Sequence, residues 1–185
     1  MTNTHKNSAR FYQTGIYRPQ PRQTQPLSAT RKADRVLSKF VRPPDFEIGP
    51  PDDVYLKRWW IIPRNRWFNI YLHQFLRSDD DRANHDHPWV NCSILLTGSY
   101  LEHRPGGVVK MRYPWRPWAP WRLVFRRATA AHRVELIDHK PVWTLFLTGP
   151  KIRTWGFHCK SGWIPWQEFC EVRDGGNAIG KGCGD

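Results

Sequence analysis

From Tyr55 onward the chain is a succession of short apolar–polar alternations, each cut by Gly, Pro or Asp, and no stretch long enough for a substantial helix interrupts them. The runs are YLKRWWIIP (55–63), WFNIYLHQFLR (67–77), HDHPWVNCSILLTGSYLEH (85–103), VVKMRYPW (108–115), WRLVFRRA (121–128), HRVELID (132–138), PVWTLFLTG (141–149) and IRTWGFHC (152–159). In the second run Phe68, Ile70 and Leu72 share one face, and Tyr71, His73 and Phe75 the other. Eight or nine such strands with turn residues between them predict an all-β sandwich or barrel. The 11 Trp residues suit a bulky, β-prone core.

The first 45 residues differ in kind. They carry nine Lys/Arg against Asp34 and Asp45, a net of +7 within a total of +13, and five prolines are spread through them. Such a segment buries too little apolar surface to offset its ordering entropy. The expectation is a basic, mostly irregular arm over 1–45 with one short helix at 28–40, a barrel over 46–172 and a Gly-rich tail over 173–185. The positive charge offers itself to nucleic acid or to small anions.

The four cysteines, Cys92, Cys159, Cys170 and Cys183, contain no CxxC pair and are too sparse for a secreted disulfide scaffold. With no apolar leader segment and no 18-residue apolar run, the expectation is a reduced, cytoplasmic protein that does not enter membranes.

His85 and His87 are one residue apart, so on a strand both imidazoles point the same way and reach one ion. A third ligand must come from a neighbouring strand, and His132, at the head of HRVELID, is the best placed. Three histidines leave open positions on a transition metal, as a ligand-exchanging site requires. The competing account has His85 and His87 capping a turn beside the acidic run 79–81, itself read as a solvated turn that lacks the glycine and final Glu of a calcium loop.

This constellation resembles the cupin superfamily. His85-Asp86-His87, then Asn91 where the family pattern has Glu, then Gly98, resembles its first motif; the run 127–132 resembles its second, with only His132 retained. HDHPW, GSYLEH, AHRVEL, WTLFLTGP and WGFHCKSGW are similar more narrowly to small cupin-like proteins of phages and proteobacteria. The likeness covers about 55–170 and leaves the arm outside. It implies a double-stranded β-helix (jelly-roll) barrel binding one divalent transition metal on His85, His87 and His132, Fe(II) favoured over Mn, Ni or Zn. With Asn91 replacing the carboxylate, the site resembles that of the thiol dioxygenases, which implies oxygenase chemistry on a small anionic substrate. The Asn91 carbonyl, Glu102 or His103 stands as a substitute fourth ligand, and the resemblance also leaves room for a homodimer.

Further candidates surround these motifs. Arg77 is the preferred anion clamp over Arg82 and Arg133, since Arg133 faces outward if His132 faces inward. Tyr71 and Tyr100 are candidate proton donors, and His73, His103 and His158 candidate partners of the ligating imidazoles. Asp86, between two ligands, faces away and is structural. Trp115, Trp118 and Trp121 with Arg112, Arg116 and Arg122 form either a packed hairpin or a stacking surface. No Ser-His-Asp spacing, P-loop or GxGxxG is present. The rival to an enzyme is a binding module that holds nucleic acid or an assembly partner through residues 1–45 and the Trp/Arg hairpin.

Overall fold

Among the described residues twelve strands follow one another: β1 (Phe46–Ile48), β2 (Leu56–Trp60), β3 (Asn69–Phe75), β4 (Asn84–His85), β5 (Asn91–Thr97), β6 (Ser99–Arg104), β7 (Gly107–Arg112), β8 (Leu123–Arg126), β9 (Arg133–Leu136), β10 (Val142–Thr148), β11 (Gly156–Cys159) and β12 (Gly162–Pro165). The structure, a computed structural model, describes residues 42–79, 83–112, 122–170 and 180–184. The helix expected at 28–40, Arg82, and Trp115, Arg116, Trp118 and Trp121 lie outside the described residues.

One sheet has the order β1-β2-β3-β10-β5-β8. The others are β7-β6-β9 and β12-β11-β4, joined by a bridge between His85 and His132. Numbered one to eight, strands β3 to β10 therefore run 1-8-3-6 in one sheet and 2-7-4-5 in the other. That order is a jelly roll, the double-stranded β-helix. The first sheet is extended beyond β3 by β1 and β2, the second beyond β4 by the β11–β12 hairpin.

The strand-like run 85–103 is divided among three elements. Strand β4 ends at His85, Pro88 stands in the connection, and Gly98 breaks β5 from β6. Gly98 has φ +76°, and a Cβ there would stand 2.7 Å from Val142 Cγ1, so the turn needs a glycine on both counts.

Register explains why β10 is mostly buried on both faces. Its inward residues meet β3 and β5, while Trp143, on the outer face, stacks on Trp59 at 5.3 Å and packs with Leu72. The Trp59 indole N–H donates to the Arg42 carbonyl, which ties the chain entering β1 onto this second cluster.

The barrel interior grades from apolar to polar. Leu95, Tyr100, Met111, Val134, Leu136 and Val142 fill one end, with Phe75 and Val124 against them. Along the same inward rows the next residues are His73 and Thr144, then Tyr71, Phe146 and Ser93, then Asn69, Thr148, Asn91 and Arg126.

The reading of four reduced thiols is corrected: Cys159 and Cys183 form a disulfide, which anchors 180–184 against β11. Asp79 is also no solvated group. Its side chain is 4% exposed and Oδ2 accepts the Val134 N–H at 2.7 Å. Among the described residues no helix is long and apolar enough to cross a membrane.

Candidate metal centre

His85, His87 and His132 offer ring nitrogens that all lie within 4.8 Å of one another. The backbone determines this. His85 N–H donates to the His132 carbonyl and His132 N–H to the His85 carbonyl, both at 2.9 Å, so the two residues face each other across an antiparallel bridge. His87 N–H donates to the Ala128 carbonyl at 3.0 Å, which returns the third imidazole to the same side.

Asp86, between the two histidines, points the other way and is 1% exposed. It accepts the Gly156 N–H at 2.9 Å, the Trp163 indole N–H at 3.0 Å and Arg153 at 2.8 Å, with His158 Nε2 at 3.2 Å. This carboxylate joins the β11–β12 hairpin to the histidine segment and holds its alternation in place. Gly156 completes the fit, because a Cβ there would run into the Ile164 carbonyl.

Behind His132 stands a buried ion network. Glu102, fully buried, accepts Arg104 Nε at 2.8 Å and Arg126 Nε at 3.0 Å, and its second oxygen takes Arg126 Nη2. Arg126 Nη1 donates to Asn91 Oδ1 at 3.2 Å and Ser93 Oγ at 3.0 Å. Glu102 Oε1 lies 3.6 Å from His132 Nδ1, and Asp79 Oδ2 lies 3.9 Å from His85 Nδ1. Burial alone would raise the Glu102 carboxyl, but the two guanidiniums override it and hold the group below its usual range.

All three imidazoles are pushed below the ordinary histidine range, first by burial. Arg126 adds to this at each of them. They are therefore neutral near pH 7, the form in which imidazole binds a metal.

The donor set fits a divalent ion. His87 Nε2 and His132 Nε2 face each other at 2.9 Å. Two nitrogens each about 2.1 Å from one ion and at right angles about it stand about 3.0 Å apart. His132 Nδ1 is a buried nitrogen with no hydrogen-bond partner, and a tautomer that donates from Nδ1 toward Glu102 leaves Nε2 as the free donor of its lone pair.

The substitutes for a fourth ligand are all otherwise engaged: Asn91 Oδ1 by Arg126, Glu102 by two arginines, and His103 by Glu135 at 2.7 Å. Arg77 is held by Asp53, its Nε 3.1 Å from Oδ2. His158 belongs to the Asp86 cluster, on the face away from the three imidazoles. Tyr71 lines the barrel interior, its ring stacked near His73 and Phe146. Tyr100 lies in the apolar cluster, where burial pushes its hydroxyl up to about 12. Sequence reasoning missed Arg126, although the alternation of LVFR places it on the same face as Val124.

No family model matches this sequence, and no curated protein does. Solved structures similar to it include a conserved protein with a double-stranded β-helix domain from Klebsiella pneumoniae, at 13% identity and TM-score 0.44 over 65% of this chain and 92% of that one. A cupin superfamily protein from Desulfitobacterium hafniense gives 10%, 0.41, 61% and 85%. KdgF from a Halomonas species gives 11%, 0.41, 53% and 82%. The strand order itself decides the architecture. This is a double-stranded β-helix. In it His85 ends the second of the eight jelly-roll strands, His87 follows it, and His132 precedes the seventh, the two strands being joined by the bridge between His85 and His132.

Proposed function

We propose that the chain is a metal-dependent cupin enzyme in which His85, His87 and His132 hold one divalent transition metal, Fe(II) by preference, and that it carries out oxygenase-type chemistry on a small anionic substrate. The observation that supports this most is the convergence of three neutral imidazoles, His132 buried and His85 and His87 half-buried, with no carboxylate among them. Such an ion, when bound, supplies Lewis acidity and, as iron, an electron route between substrate and O₂.

The protein's own groups define what can enter. Both carboxylates near the imidazoles stand behind them, and Glu102 is already neutralised by Arg126 and Arg104. The cavity side thus keeps the ion's positive charge, which favours an anion. Thr144 Oγ1, Thr148 Oγ1 and Asn91 Nδ2 are buried and without partners, and they give a polar substrate hydrogen-bonding sites on the inward face.

The test is O₂ uptake by protein loaded anaerobically with Fe(II), against small thiols, carboxylates and organic phosphates. Substrate-dependent uptake that disappears in His132→Ala supports the reading. Full iron occupancy with no uptake and no spectral change on adding any of these anions contradicts it.

A second reading is a binding module that grips nucleic acid through residues 1–45, favoured by their net charge of +7. It requires binding that weakens steeply with salt and disappears when 1–45 are deleted.

A further inference from the structure

A cavity of about 420 Å³ opens where β1, β2 and β3 meet the end of β10. Its size is that of a small-molecule site rather than a polymer groove. Arg58, Arg64, Arg66 and Lys151 line it, no Asp or Glu does, and among the described residues none of these four cations has a carboxylate partner. With 29 Lys and Arg against 16 Asp and Glu some cations must go unpaired, and Arg64, Arg66 and Lys151 are exposed; what marks this cavity is that four cations converge on it with no carboxylate in its lining.

Arg58 is the most telling of them. Its Nε donates to His73 Nε2 at 2.8 Å, and its guanidinium lies 5.0 Å from the Tyr71 ring centroid. Neither neighbour carries negative charge. A half-buried guanidinium with no counter-charge loses part of its hydration uncompensated, and that burial pulls its pKa down. An anion in the cavity would supply what the protein withholds.

The walls add a second preference. Trp60 and Trp89 both line the cavity, Arg64 stands 5.4 Å over the Trp60 ring, and the Trp89 indole N–H is a buried donor with no partner. Flat aromatic surfaces with one unused donor suit a planar ring that carries an acceptor. Four cations, three of them guanidinium forks, suit a phosphate better than a single carboxylate.

We propose that this cavity binds a nucleoside monophosphate, with its phosphate on Arg58, Arg64, Arg66 and Lys151 and its base against Trp60 and Trp89. As a substrate site the proposal rests on the function proposed above. Behind Arg58 the buried side chains of His73 and Phe146 pack at 5.0 Å, and Phe146 lies 5.9 Å from His87, so a packed row of side chains stands between the cavity and the three histidines.

The experiment is calorimetric titration of the full chain at low salt with the four 5′-nucleoside monophosphates, and with adenosine and inorganic phosphate. At least one monophosphate should bind one-to-one, about tenfold or more tighter than either fragment. Arg64→Ala/Arg66→Ala, both at exposed positions and so harmless to folding, should weaken it by about tenfold or more. Wild-type protein stripped by chelator should bind about as well as loaded protein.

Monophosphates that bind no tighter than adenosine and phosphate, or binding indifferent to the arginine pair, overturn the proposal. So does binding of oligonucleotides alone. The two failures separate cleanly: metal-loaded protein that ignores every monophosphate sinks the cavity and spares the metal, whereas monophosphate binding by protein that never takes up metal does the reverse.

Discussion

The two ends of the barrel solve opposite problems with the same strands. At one end Leu95, Met111 and Val142 are almost wholly buried and packed among other apolar groups. At the other, the same inward rows carry Arg126, Asn91, Thr144 and Thr148, and several of their polar atoms have no partner. Buried orphans of this kind are tolerated where a ligand or ion completes them. One end supplies stability, and the other spends part of it on a site.

The largest break in this contrast is Glu102→Ala. It leaves Arg126 buried without its carboxylate and should cost about 3–5 kcal/mol of unfolding free energy, measured by urea titration. Glu102→Leu/Arg126→Met, which removes both charges, should recover most of that loss. If the double variant is as unstable as the single one, the network is not an ion pair held against desolvation.

Leu95→Ala probes the other end and should cost about 2–5 kcal/mol by leaving a cavity. Metal stoichiometry should stay unchanged, because Leu95 lies in the apolar plug. A loss of metal would show that the two ends are not separable.

Acid should then act through the polar end. His73, buried beneath Arg58 and Phe146, has its pKa well below the ordinary value, as do His87 and His132, with His85 lowered too. Below about pH 6.5 the unfolded chain binds protons on these groups that the folded chain refuses. Stability of the metal-free protein should therefore fall as pH drops below that value, by about 1.4 kcal/mol per pH unit for each such histidine. His73→Phe should reduce that slope by one proton.

Smallest in energy is Asp86→Asn. It keeps the volume of the carboxylate but weakens the ties to Arg153, Gly156 and Trp163 that hold the histidine segment. Metal affinity should fall about 10–100-fold, with little change in the apolar end.

The sequence made the strands legible from Tyr55 onward, because each run keeps a two-residue period between turn residues. The histidine cluster was legible for the same reason: the spacing of His85 and His87 is a property of extended chain. What could not be read were features created by strand pairing. Arg126 becomes an interior group only because Asn91 lies opposite it across β5 and β8. Arg77 is drawn to Asp53, a partner 24 residues away, and Cys159 to Cys183 through the hairpin and its following turn. The short β1 carries no period of its own and exists because β2 pairs with it.

The most direct test of the central claim is metal content by elemental analysis on protein purified without chelator, beside His85→Ala/His87→Ala. We predict close to one equivalent of a divalent transition metal in the wild type and essentially none in the folded double variant. No metal in the wild type after anaerobic reconstitution, or equal metal in both, would contradict the site.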